Sequence, residues 1–225
     1  MGFKSYCFTH PGHLRTLNED SFYINDEKKL WVVCDGMGGH EEGNFASHLI
    51  TDIFEYFPLE GSFENKIEMI NKQIKIIHNL LENKVEKMGG NITIGSTLML
   101  LHIEDDKGVC IHMGDTRCYC LQNGTLRTIT KDHAIQINDF YGSRRYLTSA
   151  LSAPGNLIIE TTRFTVYKED VFLICTDGLY DYISNKIIKE AMSQENKEEA
   201  LFKLKQNVLI TSAEDNITVT IIENI

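Results

Sequence analysis

Four apolar, β-branched-rich runs in this chain each meet a carboxylate flanked by glycine or asparagine. They are Trp31-Val-Val-Cys-Asp35-Gly36, Ile111-His-Met-Gly114-Asp115, Phe172-Leu-Ile-Cys-Thr-Asp177-Gly178, and Asp215-Asn216 ahead of Ile217-Thr-Val-Thr-Ile-Ile222. Runs of this length and composition form buried strands, so the acids stand where strands begin or end. If the strands share sheets, their ends can bring the acids together. Close carboxylates repel and raise one another's pKa unless a cation neutralises them. An oxygen-only cluster of this kind suits Mg²⁺ or Mn²⁺, whereas zinc prefers nitrogen and sulfur ligands.

Asp-Gly between apolar runs is also a strong hairpin signal, so each acid could mark a turn and nothing more. The flanks argue otherwise. Asp35-Gly36 is followed by Met-Gly-Gly-His-Glu-Glu-Gly, not by a return strand, and Asp177-Gly178 runs on through Leu-Tyr-Asp-Tyr-Ile-Ser into a helical pattern. The hairpin signature proper occurs at Asn123-Gly124, between Arg117-Cys-Tyr-Cys-Leu and Thr-Leu-Arg-Thr-Ile.

Strand-like runs occupy roughly 3–9, 21–25, 29–34, 93–103, 108–113, 116–121, 125–130, 158–166, 171–176 and 216–223. Helical periodicity covers 44–57, with Phe45, Leu49, Ile53 and Phe57 in one stripe, and 64–88, with Ile67, Ile70, Ile74, Ile77, Leu81, Val85 and Met88 in another. Two more helices are expected at about 184–193 and 197–210. Successive strands with segregated helix pairs indicate an α+β fold: two antiparallel sheets face to face, each covered on its outer side by a helix pair. With 225 residues, 42% of them hydrophobic, the chain is long enough for one large domain with a full core.

The 32 acids against 22 bases leave a net charge of −10, which disfavours nucleic acid and anionic membrane partners because both need a basic face. Neither a signal peptide nor an apolar stretch of membrane-spanning length is evident, so a cytoplasmic protein is expected. Cys34, Cys110, Cys118, Cys120 and Cys175 lie within apolar runs as small hydrophobes, and the lack of a Cys-x-x-Cys pair argues against a zinc or redox motif.

The segment Arg15-Thr-Leu-Asn-Glu19-Asp20 adds a guanidinium and two acids. In isolation this is a solvated loop with a weak ion pair. Beside the later acids it offers what phosphate chemistry needs, a planar bidentate cation and further carboxylates.

Taken in order, eight segments resemble the metal-dependent (type 2C) serine/threonine protein phosphatases in their compact bacterial form. These are Arg15-x-x-Asn-Glu19-Asp20, Asp35-Gly36-Met37-Gly38-Gly39, Gly95-Ser96-Thr97, Gly114-Asp115-Thr116-Arg117, Thr130-Lys-Asp132-His133, Leu147-Thr148-Ser-Ala-Leu151, Thr176-Asp177-Gly178-Leu179 and Asp215-Asn216-Ile-Thr-Val. The resemblance spans about residues 5–223. It implies the four-layer α-β-β-α sandwich and two Mn²⁺ or Mg²⁺ ions. Asp35 would bridge them, the Gly36 carbonyl would sit on one ion, and Asp177 and Asp215 on the other. Glu19 would act on the metal shell, often through water. Asp115, sharing a weaker third ion with Asp177, and Arg15, binding the phosphate, complete the implied site. The implied activity is hydrolysis of phosphoserine and phosphothreonine in proteins by a metal-activated water, without a phosphoenzyme. The implied substrates are signalling phosphoproteins, targets of a serine/threonine kinase, and the protein is expected to be a monomer. A catalytically silent binding module on the same scaffold is the alternative; such modules lose metal acids, and this chain keeps them. Another two-metal hydrolase, such as a phosphodiesterase or nuclease, would usually employ histidine ligands, and no histidine accompanies these acids in a ligand pattern.

The chain departs from the family in several places. Met37 stands where some relatives carry His, with His40 as a nearby proton donor or a surface histidine. Ser149 and Ser152 stand where Arg and Gly are common. The flap at about 134–146 is shortened, without the helical content usual there. Within it, Arg144 and Arg145 offer either contacts to a phosphopeptide or a solvated pair.

Overall fold

A computed structural model describes residues 1–38, 41–90, 92–139, 142–153 and 157–225, and of residues 138–139 and 142–144 the backbone only. The strands are β1 (Phe3–His10), β2 (Asp20–Asn25), β3 (Leu30–Met37), β4 (Gly95–Ser96), β5 (Leu98–Glu104), β6 (Lys107–Met113), β7 (Arg117–Gln122), β8 (Thr125–Thr128), β9 (Ala134–Asp139), β10 (Gly142–Leu147), β11 (Glu160–Thr165), β12 (Val171–Cys175) and β13 (Ile217–Asn224). The helices are α1 (Glu41–Glu55), α2 (Phe63–Lys87), α3 (Asp177–Tyr180), α4 (Asn185–Met192) and α5 (Lys197–Leu209).

One sheet has the order β1-β13-β12-β7-β8 and the other β11-β6-β5-β3-β2, with neighbouring strands antiparallel. Strand alternation shows how they stack. On β3, Val32 and Cys34 join Ile50, Phe54, Ile70, Ile74 and Ile77 of α1 and α2, while Trp31 and Val33 point the other way. There they meet Phe172 and Ile174 of β12 and Cys118 of β7, forming a core between the sheets. The neighbouring Leu173 and Cys175 instead face Ile188, Leu204 and Val208 of α4 and α5. Four layers result, helix pair, sheet, sheet, helix pair, as expected from the pattern of elements.

Differences from the sequence reading have local causes. The run at 93–103 begins as strand only at Gly95 and divides at Thr97 into β4 and β5, both paired with β3 in one register, the Thr97 amide donating to the Asp35 carbonyl at 2.9 Å. The buried face of α1 is Ala46, Ser47, Ile50, Thr51 and Phe54, one position away from the expected stripe, and Phe45 is 40% exposed. Phe45 lies instead beneath the Lys84 ammonium of α2, 4.2 Å from the ring centroid, so a cation–π contact covers it rather than the core. On α2 the stripe holds from Ile67 to Leu81, and Met88 lies outside it, 49% exposed. The segment read as a short flap forms the β9–β10 hairpin, a two-stranded sheet of its own. Ser152 adopts φ 59°, a left-handed conformation that glycine takes up at least cost.

Candidate metal centre

The acids gather at one end of the sandwich. Asp35 lies near the end of β3 and Asp20 begins β2 directly opposite it in register. Glu19 immediately precedes β2, Asp115 follows β6, Asp177 follows β12 as the first residue of α3, and Asp215 precedes β13. Arg15 comes from the β1–β2 connection. Arg15, Glu19, Asp35, Gly36, Asp115, Asp177 and Asp215, every residue expected at the site, line one cleft of about 280 Å³.

Backbone and side-chain hydrogen bonds hold these positions. The Asp35 amide donates to Thr97 Oγ1 at 2.9 Å, and that hydroxyl pairs with Thr116 Oγ1 at 2.7 Å. Asn216 accepts from the Glu19 amide at 2.8 Å and donates to the Pro11 and Leu17 carbonyls at 3.0 and 2.9 Å. One amide side chain thus fixes the loop bearing Arg15 and Glu19 against the start of β13. Its own amide donates to Asp215 Oδ1 at 2.9 Å. Thr176 Oγ donates to Asp20 at 3.0 Å and accepts from the Thr218 amide at 3.0 Å.

Two glycines are required by close approach. A Cβ on Gly36 would lie 2.3 Å from the Gly43 carbonyl oxygen and 2.6 Å from that of Glu19. One on Gly178 would lie 2.0 Å from the Asn216 carbonyl oxygen. The glycine after each acid therefore lets the helix that follows press against the neighbouring strand, which the turn reading of Asp-Gly does not explain.

The electrostatics of the cleft are those of an anion cluster only partly compensated by Arg15 and Arg145. Burial first, then Asp115, Asp215, Asp181 and Asp20, pushes the Asp177 carboxyl up to about 8. Burial, with Asp35's neighbours Asp20, Asp177, Asp115 and Asp215 adding to it, drives Asp35 well above the ordinary carboxylate range. Asp20 rises to about 7 through burial, against hydrogen bonds from Thr218 and Thr176. Asp177 Oδ1 and Asp20 Oδ1 are buried and accept no hydrogen bond from the described residues, a costly state for a carboxylate. Orphaned oxygens in an all-oxygen donor set are what a hard divalent cation satisfies. The residues fit Mg²⁺ or Mn²⁺.

Arg15 Nη2 reaches Asp215 Oδ2 at 3.0 Å while the guanidinium stays half exposed at the cleft's rim. Its pKa is raised, first by that hydrogen bond and also by the charges of Asp215, Glu19 and Asp35.

The sequence left the surroundings of Arg145 open. It does not stand in solvent: from β10 it enters the cleft and bonds Asp115 at 3.1 Å, Asp181 at 3.4 Å and Asp132 at 2.5 Å. Arg117 shares Asp132 at 2.8 Å and lies over the Tyr180 ring, whose hydroxyl donates to the Asp115 carbonyl at 2.9 Å. Nothing in the local sequence pairs residue 145 with 115; the hairpin does. Thr97 and Asn216 stand in the quoted motifs without a role there, and Asp181 is absent from them, because the parts of all three depend on partners far along the chain. Gly39, His40 and the Arg144 side chain lie outside the described residues.

A family model for protein phosphatase 2C matches residues 12–210, and the chain belongs to that family. The serine/threonine phosphatase stp of Listeria welshimeri is 28% identical over an alignment spanning 96% of this chain and 93% of that protein. Serine/threonine protein phosphatase PstP of Mycobacterium tuberculosis is 27% identical across 93% of this chain and 43% of its own length. Among solved structures, PppA, a regulatory component of the T6SS in Pseudomonas aeruginosa, superposes with a TM-score of 0.89 at 27% identity, covering 99% of this chain and 97% of PppA. The catalytic domain of PstP in complex with two manganese ions gives 0.81 at 26% identity, covering 99% and 98%.

Proposed function

We propose that this chain is a metal-dependent phosphatase that hydrolyses phosphoserine and phosphothreonine in proteins phosphorylated by a serine/threonine kinase. The observation that carries the reading is the convergence of Glu19, Asp35, Asp177 and Asp215, with Arg15 beside them, on one cleft. The names of its relatives, serine/threonine phosphatases, and the two manganese ions of the PstP complex support it.

Asp35, Asp177, Asp215 and the Gly36 carbonyl would hold two Mn²⁺ or Mg²⁺ ions, with Glu19 acting on their shell. Bound there, such ions polarise phosphoryl oxygens and make a water acidic enough to attack phosphorus near neutral pH. The chain's own part is positional and electrostatic. Arg15, held at the rim by Asp215, presents its remaining donors to the phosphoryl oxygens, where charge accumulates during displacement. Asn216 keeps Glu19 and Asp215 in fixed relation, so the cluster is preorganised rather than assembled on binding. Asp115 is the natural ligand for a third, weaker ion shared with Asp177, yet Arg145 already neutralises it.

Asp35→Asn and Asp177→Asn each test the reading. Mn²⁺-dependent turnover of p-nitrophenyl phosphate should fall at least ~100-fold, the scale of removing one electrostatic catalytic group. Circular dichroism should remain native. Full residual turnover in either variant would refute the assignment. A faster rate on a bis-ester than on a phosphothreonine peptide would move the protein to the phosphodiesterase class.

A further inference from the structure

We propose a second, separate metal site, for Zn²⁺, built from His112, His133 and Glu160. The three residues are distant in sequence and carry no local signature, but the fold joins them. Register between β6 and β11 sets Glu160 opposite His112. The His133 amide donates to the Gly114 carbonyl at 2.9 Å, bringing its ring back over the end of β6. The two imidazoles stack with centroids 4.8 Å apart, and one donor atom from each of the three side chains lies within 4.8 Å of the others.

The hydrogen bonds define the tautomers. A ring nitrogen facing a carbonyl or carboxylate must carry the proton. His112 Nε2 therefore donates to the Lys131 carbonyl at 2.9 Å, and His133 Nε2 donates to Glu160 Oε2 at 3.1 Å. Each Nδ1 is then left with a lone pair. Both Nδ1 atoms are buried without a partner among the described residues, in residues only 1% and 9% exposed. Two buried acceptors with no donor are a deficit that a cation corrects and a hydrophobic neighbour does not. Burial also lowers the His112 pKa, keeping that lone pair free.

The donor chemistry selects the ion. Two imidazoles and one carboxylate form the ligand set of many three-ligand zinc sites, and imidazole favours Zn²⁺ over the Mg²⁺ or Mn²⁺ suited to the acidic cleft. The His112–Lys131 bond is the kind of outer contact that orients a zinc-bound histidine. Tetrahedral Zn²⁺ with bonds near 2.1 Å spaces its ligand atoms roughly 3.4 Å apart, so atoms now within 4.8 Å of one another must close by up to about 1.4 Å, and Glu160 must exchange its hydrogen bond from His133 Nε2 for the ion. Glu160, whose side chain is 41% exposed, can swing inward and gives the ion a route from solvent.

The test uses the wild-type protein with its acidic cleft saturated by diamagnetic Mg²⁺. Zn²⁺ is added through several equivalents while long-range proton–nitrogen spectra follow the imidazole nitrogens. One nitrogen each of His112 and His133 should move to a metal-bound position. Glu160→Gln should raise the zinc dissociation constant at these rings at least ~10-fold, the least that losing even an outer partner costs a metal site. Unmoved His112 and His133 nitrogens, or an unchanged constant in Glu160→Gln, would overturn the proposal and leave a purely structural histidine pair.

Discussion

Loading the acidic cleft with metal should expel protons, and the number follows from the structure. Asp177, pushed to about 8, is roughly 90% protonated at pH 7 in the metal-free protein, and Asp20, at about 7, is half protonated. Asp35 is held higher than the ordinary range by the same neighbours. Carboxylates must be ionised to bind a divalent ion. Saturation at pH 7 should therefore release about one to two protons per chain, shared among coupled groups rather than owned by one. Calorimetric titration with Mn²⁺ in buffers of different ionisation enthalpy reads this number as the slope of observed heat against buffer enthalpy. The slope should be smaller at pH 9 than at pH 7, because Asp177 is already ionised there and no longer contributes. Stability of the metal-free chain should obey the same acids. A carboxyl near 8 in the native state and about 3.9 when unfolded keeps a proton that the unfolded chain has lost. Stability then falls as pH rises from about 4, and the loss is complete once pH passes 8. A buffer-independent heat at pH 7, or a metal-free melting temperature that climbs between pH 5 and 8, would refute the reasoning.

Arg15→Ala should lower kcat/KM about 100-fold through loss of phosphoryl contacts, while the melting temperature moves by no more than a degree or two, since its pair with Asp215 is exposed. Arg145→Ala strips the shared cation from Asp115, Asp132 and Asp181; thermal unfolding of the metal-free variant should begin several degrees lower, and Mn²⁺ should recover more of that loss than it adds to wild type. Gly178→Ala forces a Cβ to within 2.0 Å of the Asn216 carbonyl oxygen, and overpacking against backbone should cost roughly 3 kcal/mol in chemical denaturation.

The layers and the acids were legible in the sequence for one physical reason. A strand buried on both faces must be apolar throughout, so any acid at its end stands out, as Asp35 does after Trp31 to Cys34, residues that are 0% exposed. Helix α1 was harder because it is amphipathic with an aromatic on its wet side. Phe45 looked like core, and only the Lys84 side chain from another helix explains its position. Thr97 and Asn216 act through hydrogen bonds to residues 62 and about 200 positions away, which local pattern does not encode.

The same distinction explains why the sequence left Arg145 open and why it matters. Viewed along the chain it belongs to a polar hairpin, and a surface reading is natural. In the fold it supplies a positive charge among acids that otherwise raise one another's pKa; Asp115 stays above the ordinary range through burial, and Arg145 is the main influence opposing that rise. The cleft thus divides into two electrostatic zones. Around Asp35, Asp177 and Asp20 the Thr176 hydrogen bond and the Arg15 charge relieve part of the excess negative charge, and protons or added cations must relieve the rest. Around Asp115, Asp132 and Asp181 the protein carries its own counter-ion on a hairpin. Metal dependence should accordingly be strong in the first zone and weak in the second, and the β9–β10 hairpin, through Arg145, is the element that sets the boundary between them.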